Sequence, residues 1–301
     1  MPRPLPIGEI VRQFKGNHPG SHLFKIDNFS LLGKYEIKAC ESSVFELGDH
    51  KWKLILYPNK YGHVSIHFEK QDSEVVAWKY PIALFAASQF EKKWATGIGS
   101  PKCNLSRTTW KDVRVISHAT LHDEEQGFLV DDIALFGVKI MGLADAKVGT
   151  AECFSIVENP PRNKITWKMI NYTMFSFEDD HFSNEFVIGS RIWRIRIYPR
   201  GNNKGKGKSL SVYLSGDRFT SDALEAKTYV GFKLRLFDQI RRKHFQRSLG
   251  PEWYSAEPGE DRGFEEFAPL ADIDDKSKGY LVDDQIFVGV QIDFVSMNNR
   301  C

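Results

Sequence analysis

A block of fourteen residues occurs twice in the chain, and its pattern indicates the fold. Residues 45–58 read FELGDHKWKLILYP and residues 186–199 read FVIGSRIWRIRIYP, so the two copies align without a gap. In the second copy, Trp193, Ile195 and Ile197 alternate with arginines. A two-residue period with one charged face predicts a β-strand that buries its other face.

Two further blocks repeat in the same order. Residues 24–29 (FKIDNF) correspond to 167–172 (WKMINY), and residues 127–132 (GFLVDD) correspond to 279–284 (GYLVDD). The spacing between blocks differs in the two copies, as expected when loops of different length join shared strands. The chain is therefore predicted to contain two copies of one domain.

Each copy is predicted to be an antiparallel sandwich, because short alternating strands are separated by turn residues. Residues 64–68 and 286–294 show the same alternation. Helix should be scarce, with short stretches at residues 115–121 and 264–270.

The length of 301 residues suits two domains. A Pro-Pro pair at 160–161 cannot contribute to a sheet ladder, so it marks the junction. The expected plan has four parts, which are a partly ordered lead-in over 1–20, a first domain over 21–143, a linker over 144–163 and a second domain over 164–298.

Composition excludes several classes of function. The net charge is only +2, without the basic excess of a nucleic-acid-binding protein. The basic stretch 200–208 is rich in glycine and is expected to be a solvated hairpin tip. The longest apolar run, residues 81–87, is too short to cross a membrane, and the N-terminus lacks the apolar core of a signal peptide.

The cysteines and histidines do not form a recognisable metal or catalytic motif. The four cysteines are far apart and form no CxxC pair, which argues against zinc and a disulfide framework. We therefore expect a reducing compartment, the cytoplasm or also the nucleus. His118 and His122 have ligand-like spacing, but Ala119 stands where a zinc hydrolase needs a glutamate. The duplicated Asp-Asp pairs are better explained as turns than as catalytic carboxylates. No enzymatic activity and no cofactor are predicted.

The three repeated blocks together resemble the MATH domain, also called TRAF-C-like. The doubled arrangement is similar to the tandem MATH proteins of plants. This resemblance implies an all-β chain of two antiparallel eight-stranded β-sandwiches in tandem. It also implies a shallow groove that binds extended peptides, which relatives use to select substrates for ubiquitin ligases or deubiquitinases, or to dock receptor tails. The expected partners are short peptide segments of other proteins, including ubiquitin-ligase components or other MATH proteins, and self-association would add avidity.

One feature of repeat 2 supports the groove independently of the family. Leu210, Val212 and Leu214 share one face of a predicted strand, which leaves Tyr213 among serines on the solvated face. The resemblance places the peptide-contacting residues of repeat 2 at Tyr213, Phe232, Lys233, Tyr254, Asp261, Arg262 and Phe264.

Two of these assignments carry alternatives. Arg262 replaces the tryptophan of the family's Asp-Trp-Gly-Phe segment, so it either favours an acidic or phosphorylated peptide or pairs with Asp261 or Glu260. Phe232 shares the parity of Leu234, so it belongs to the core unless Gly231 forms a bulge.

Repeat 1 departs further from the family pattern. His67 replaces Tyr213, Tyr80 matches Phe232, Trp110 aligns with Arg262, and Asp112 stands in place of Phe264. This second groove, with His67, Tyr80 and Trp110, is either re-specialised or silent. A carbohydrate-binding β-sandwich remains an alternative function, because it would also expose aromatic side chains on a sheet face.

Overall fold

The protein is described from a computed structural model. It describes residues 6–72, 80–90, 94–97, 102–104, 107–142, 147–176, 179–221 and 223–301. The chain divides into two compact units. Unit 1 comprises residues 1–156 with 224–226 and 297–301, and unit 2 comprises 157–223 with 227–296.

The first half of the chain forms three short helices and twelve strands among its described residues. Their bounds are α1 Ile7–Asn17, β1 Ser21–Ile26, α2 Phe29–Lys34, β2 Cys40–Glu41, β3 Phe45–Leu47, β4 His50–Lys60, β5 His63–Lys70, β6 Ile82–Ala87, β7 Trp94–Gly97, β8 Lys102–Asn104, β9 Arg107–Ser117, α3 His118–Leu121, β10 Leu129–Val130, β11 Ile133–Ile140 and β12 Thr150–Glu158.

Unit 1 is a sandwich of two sheets. One sheet has the order β12-β1-β11-β6-β7 with β10 paired to β11, and the other has the order β2-β4-β5-β9-β8 with β3 paired to β4. The β1–β12 pair is parallel, whereas the β1–β11, β11–β6, β4–β5 and β5–β9 pairs are antiparallel. Trp52, Phe68 and Phe136 are fully buried between the sheets, as the alternation of the strands requires.

Two segments outside the predicted first domain form regular structure in unit 1. The lead-in forms helix α1, which buries Val11 and Phe14 against Leu23 and Leu135. The expected linker contains strand β12, which extends the first sheet. Residues 1–5 of the lead-in and 143–146 near the linker lie outside the described residues.

The second half of the chain contains nine strands and one short helix among its described residues. Their bounds are β13 Lys164–Ile170, β14 His181–Phe182, β15 Phe186–Ile188, β16 Arg191–Tyr198, β17 Ser209–Phe219, β18 Thr228–Leu236, β19 Phe245–Tyr254, β20 Glu260–Pro269, α4 Leu270–Asp274 and β21 Gln285–Arg300, with 3-10 turns at Tyr172–Met174, Asn203–Gly205 and Lys276–Lys278.

Unit 2 is also a two-sheet sandwich, and its strand pairs are antiparallel. One sheet has the order β13-β21-β18-β19, and the other has the order β14-β16-β17-β20 with β15 paired to β16. Strands β19 and β20 therefore form the edges of their two sheets. Trp193, Leu214, Leu234 and Ile292 are fully buried in the core between them.

The duplicated Asp-Asp pairs are turns, as predicted. Asp131 and Asp132 both have positive φ, as do Asp283 and Asp284. Two consecutive residues of positive φ are typical of the type I′ turn that closes a tight hairpin, and β10 pairs with β11 directly across Asp131-Asp132. The repeated pair is therefore a conformational requirement of the fold.

The prediction of an all-β chain with two sandwiches is confirmed. The predicted helical stretches are shorter than expected, because α3 begins only at His118 and residues 264–269 extend strand β20. The basic stretch 200–208 contains a 3-10 turn at Asn203–Gly205. Within the described ranges, no helix is long and apolar enough to span a membrane.

Candidate functional site

Tyr213 lies on the outer face of the β17–β20 pair, where the sequence pattern placed it. It is opposite Gly263 in the register of the two strands. A Cβ atom on Gly263 would lie 2.2 Å from the carbonyl oxygen of Val212 and 3.0 Å from the Tyr213 ring, so the close approach of the two strands requires glycine at that position. The Tyr213 hydroxyl donates to Oδ1 of Asn202 at 2.9 Å. Burial of the half-exposed ring raises the pKa of Tyr213.

Asp261 lies on the same outer face and is already engaged in an ion pair. Arg196 donates to Oδ2 of Asp261 at 2.7 Å and pairs with Asp180 at the same distance. Oδ1 of Asp261 is buried and makes no hydrogen bond within the described part of the chain. The aromatic rings of Tyr213 and Tyr198 lie on this face too, and their centroids are 6.2 Å apart.

Arg262 and Phe264 point to the opposite side of β20 from Tyr213. They are opposite Leu214 and Val212 respectively, and directly opposed residues of an antiparallel pair share one face. Because β20 is the last strand of its sheet, these two side chains lie at the margin of the sandwich, beside β19. Phe264 is only partly buried there, and the guanidinium of Arg247 lies 3.9 Å from its ring centroid.

The charge of Arg262 is compensated within repeat 2. Its guanidinium forms an ion pair with Glu260 and a longer one with Glu252 at 3.6 Å. It also donates to the carbonyl oxygen of Trp253 at 3.4 Å. The alternative in which Arg262 pairs with Glu260 is therefore the arrangement in this structure.

Phe232 and Tyr254 require a correction, because neither offers surface to a peptide. Phe232 is 1% exposed and Tyr254 is fully buried. A bulge does interrupt β18 beside Gly231, but Phe232 still shares the core-facing parity of Leu234. The Tyr254 hydroxyl is satisfied internally, since it donates to the carbonyl of Leu214 at 2.9 Å. Burial raises the pKa of Tyr254.

Lys233 lies on the other sheet from Tyr213 and Phe264, so it is not part of their surface. Its ammonium pairs with Asp293 of the adjacent strand at 2.9 Å. The residues that the structure brings together are therefore Tyr213 and Asp261 on one face of β20, and Arg262 and Phe264 on the other.

In repeat 1, the outer face of the equivalent strands carries a polar network. His67 lies 2.9 Å from Oδ1 of Asp112, which also pairs with Lys60, and the Tyr57 hydroxyl is 3.3 Å from His67. The hydrogen bond from Lys60 lowers the pKa of Asp112. Asp112 has a positive φ at a break in the β5–β9 register.

The structure corrects two of the groove positions predicted for repeat 1. Val113, opposite Ile66, occupies the register position that Phe264 has in repeat 2, because the irregularity at Asp112 shifts the strand. Trp110 is 2% exposed and packs 5.8 Å from Phe68, so it is a core residue. Tyr80 is 42% exposed, at the start of the segment that leads into β6.

The histidine pair and the described acidic residues do not form a metal site. His118 is bonded to the carbonyl oxygen of Pro58 at 2.8 Å, and its ring packs against His122 at 5.5 Å. In the part of the chain that the structure describes, no group of three His, Cys, Asp or Glu side chains could hold a metal ion.

Sequence reasoning missed Arg247, which covers Phe264 from strand β19. The signal was present but faint, since Phe245, Arg247 and Leu249 alternate with exposed residues along β19. The approach of β19 to β20 at the sandwich margin depends on tertiary structure and has no local sequence signature.

Each unit is a two-sheet β-sandwich built on the same repeated sequence blocks. The family model of the MATH domain matches residues 21–140 and 164–292. The chain therefore belongs to the MATH domain family, with two copies of the domain.

Its relatives match one copy at a time. Ubiquitin C-terminal hydrolase 12 of Arabidopsis thaliana is 34% identical over 135 residues, which are 45% of this chain and 12% of the hydrolase. A MATH domain and coiled-coil domain-containing protein of the same plant is 32% identical over 130 residues, 43% of this chain and 39% of that protein. Protein RESTRICTED TEV MOVEMENT 3, also from this plant, is 30% identical over 131 residues, 43% of this chain and 42% of its own length.

A TRAF5 structure from Notothenia coriiceps is similar over 44% of this chain and 73% of that chain, with 22% identity and a TM-score of 0.37. The chain spans less than half the length of the plant relatives that it matches. The segment shared with the hydrolase is the MATH segment.

Proposed function

We propose that this chain is a non-enzymatic adaptor whose second MATH repeat binds extended peptides along strand β20. The observation that carries the proposal is the position of β20 at the edge of its sheet, with side chains of different chemistry on its two faces. An edge strand presents unpaired backbone groups that can pair with an added strand.

A peptide paired with β20 would place alternate side chains on the two faces of that strand. One set would meet Tyr213, whose ring packs over Gly263 and is only half-buried. The other set would meet Phe264, which is partly exposed under Arg247. Backbone pairing would supply affinity, and these two aromatic contacts would select side chains.

The electrostatics of this edge favour neutral peptides. Arg262 is already paired with Glu260 and Glu252, and Asp261 is paired with Arg196. An acidic or phosphorylated peptide would have to displace a carboxylate to reach the guanidinium of Arg262 or Arg196. The Arg247 guanidinium is engaged by the Glu266 carbonyl and covers the Phe264 ring. We therefore propose that uncharged peptides bind here at least as well as acidic ones.

Repeat 1 is proposed to be silent toward the same peptides. The position of Phe264 is taken by the buried Val113, and His67 is held by Asp112 and Tyr57. At the equivalent positions, repeat 1 therefore has neither of the two aromatic side chains on which the proposed recognition depends.

The proposed setting is ubiquitin-linked turnover or signalling in the cytoplasm, with the nucleus as a further compartment. Support for the ubiquitin link comes from the 34% identity to a hydrolase whose name refers to ubiquitin. The proposed partners are peptide segments of other proteins, including ubiquitin-ligase components or other MATH proteins. A single extended peptide should bind with micromolar affinity, about −8 kcal/mol, so several motifs or self-association would be needed for tight capture.

The test is a selection on the full chain with a random peptide library, alongside a glycan array. We expect enrichment of uncharged peptides with alternating apolar residues, and loss of that enrichment in Phe264→Ala. The matched control is Ile240→Ala, which removes a 63% exposed apolar side chain of unit 2. Glycan binding without peptide enrichment would instead favour the carbohydrate-binding alternative.

A further inference from the structure

Two free cysteines of unit 1 meet although they are far apart in sequence. Cys153 lies on β12, and Cys301 follows the end of β21. The backbone N–H of Cys301 donates to the carbonyl oxygen of Ala151 at 3.3 Å, which holds Cys301 beside β12. The two side chains line the same cavity, and each influences the pKa of the other. They are therefore close enough to react with each other after side-chain rotation.

The two thiols have different surroundings, which shift their pKa values in opposite directions. The Cys153 thiol donates to Oδ2 of Asp27 at 2.8 Å, and Asp27 pairs with Lys25 at 2.9 Å. The contact with Cys301, burial and the Asp27 carboxylate all raise the pKa of Cys153, which stays protonated. The contact with Cys153 and the charges of Lys25 and Lys15 outweigh burial and lower the pKa of Cys301.

Both thiols are reachable from solvent. They line a cavity of about 440 Å³. Its cationic lining residues are Arg12, Lys15, Lys25 and Arg300, and Ile7 and Val11 of α1 form its apolar wall. Cationic side chains beside a partly exposed thiol favour the reactive thiolate. By contrast, Cys40 is fully buried, and burial raises its pKa.

We propose that Cys301 and Cys153 form a peroxide-responsive dithiol site that closes into a reversible disulfide. The Cys301 thiolate attacks one oxygen of hydrogen peroxide, the O–O bond breaks, and hydroxide leaves, so that Cys301 becomes a sulfenic acid. Asp27 accepts the Cys153 proton, and the Cys153 thiolate then attacks the Cys301 sulfur. The S–O bond breaks, and the departing hydroxide takes that proton from Asp27 to leave as water. Two thiols and one peroxide thus give one disulfide and two waters.

The disulfide would have a local structural effect within unit 1. It would replace the Cys153–Asp27 hydrogen bond and fix residues 297–301 covalently to β12. In a reducing compartment the thiols would be the resting form, and the bond would form only during an oxidant pulse. This site is independent of the peptide edge in unit 2.

To test the proposal, the full chain is treated with one equivalent of hydrogen peroxide, and its thiols and disulfides are mapped by mass spectrometry without reduction. We expect loss of two hydrogen atoms, a Cys153–Cys301 cross-linked peptide, and reversal by a dithiol reductant. Cys301 should react at least about tenfold faster than Cys40, since reactivity follows thiolate content and exposure.

Three single variants distinguish the roles of Cys153, Cys301 and Cys40. Cys153→Ser should accumulate a Cys301 sulfenic acid that dimedone traps, because no second thiol resolves it. Cys301→Ser should leave Cys153 unmodified, and Cys40→Ser should behave as wild type. The proposal is overturned if the disulfide joins any other pair of cysteines, if Cys153 is oxidised in Cys301→Ser, or if Cys301 reacts no faster than Cys40.

Discussion

The indole N–H of Trp193 donates to the carbonyl oxygen of Ile188 at 3.0 Å in the centre of repeat 2. Trp52 and Leu47 make the same bond in repeat 1 at 2.7 Å. Each indole closes the Gly-turn that precedes its own strand, five residues back along the chain. The repeated block is therefore built around one buried hydrogen bond as well as an apolar side chain.

Trp193→Ala should lower the free energy of unfolding by about 3–5 kcal/mol, because it removes a large buried side chain. Trp193→Phe should lower the free energy of unfolding by less than Trp193→Ala. It should still lower it more than a conservative exchange of one apolar side chain for another, because the Ile188 carbonyl loses its buried donor. The matched control is Tyr213→Phe, which removes a hydroxyl from a half-exposed side chain and should cost under about 1 kcal/mol. Chemical denaturation of the three variants measures the differences. An equal loss in Tyr213→Phe and Trp193→Phe would contradict this account of the core.

Asp284 should be structural and should have no role in binding. Its carboxylate accepts the backbone N–H of Thr173 at 2.8 Å and the Thr173 hydroxyl at 3.1 Å, and Asp132 repeats this with Ser30 in unit 1. Asp284→Ala should cost about 1–2 kcal/mol of stability by removing both bonds. Peptide affinity, measured by titration, should not change. A variant of full stability with lost peptide binding would overturn the assignment.

Glu152 should make unit 1 less stable as pH rises. The side chain is 1% exposed and accepts hydrogen bonds from Ser43 and Asn298, but burial outweighs them and raises the pKa of Glu152. The folded state then binds the proton more tightly than the unfolded chain. This contribution to the free energy of unfolding is therefore lost as pH rises from the unfolded pKa of about 4.3 through the folded pKa.

Glu152→Gln keeps the size and a carbonyl acceptor of the side chain while removing its charge. The difference in unfolding free energy between this variant and wild type should favour the variant increasingly over that pH range, and then level off. His22 lies 3.9 Å from the Glu152 carboxylate, but burial lowers its pKa to about 3, so the folded protein keeps it neutral over this pH range. A difference that stays flat with pH would show that the Glu152 pKa is not raised.

Phosphorylation of a bound peptide should not strengthen binding at β20. Arg262 is engaged by Glu260 and Glu252, so a phosphate would compete with two carboxylates already in place. Matched peptides with Ser or phosphoserine at each position, titrated against the full chain, should differ less than about tenfold. A gain of one hundredfold at a single position that disappears in Arg262→Gln would reinstate the acidic-peptide alternative.

The sequence was sufficient for the parts of the fold that local patterning controls. The alternation around Trp193 specified a strand and its buried face, and the outward position of Tyr213 followed from the parity of Val212 and Leu214. The same reasoning gave the correct turn at Asp131-Asp132, since few residues other than Gly, Asn and Asp tolerate positive φ.

The sequence was insufficient where the outcome depends on strand register or on distant contacts. Phe232 and Tyr254 were placed in the groove by family resemblance, although the parity of Phe232 had already indicated the core. The shift that puts Val113 in the Phe264 position depends on a single irregularity at Asp112. The Cys153–Cys301 pair arises because the end of the chain returns to β12.

The central claim is that peptides bind along β20 with Phe264 as an anchor. The most direct measurement is the calorimetric Kd of one selected peptide for the full chain, for Phe264→Ala and for the control Ile240→Ala, each with its thermal midpoint. We predict micromolar binding to wild type and Ile240→Ala, and at least about tenfold weaker binding to Phe264→Ala, in line with the loss of one aromatic anchor. Unchanged affinity in a folded Phe264→Ala protein would contradict the claim.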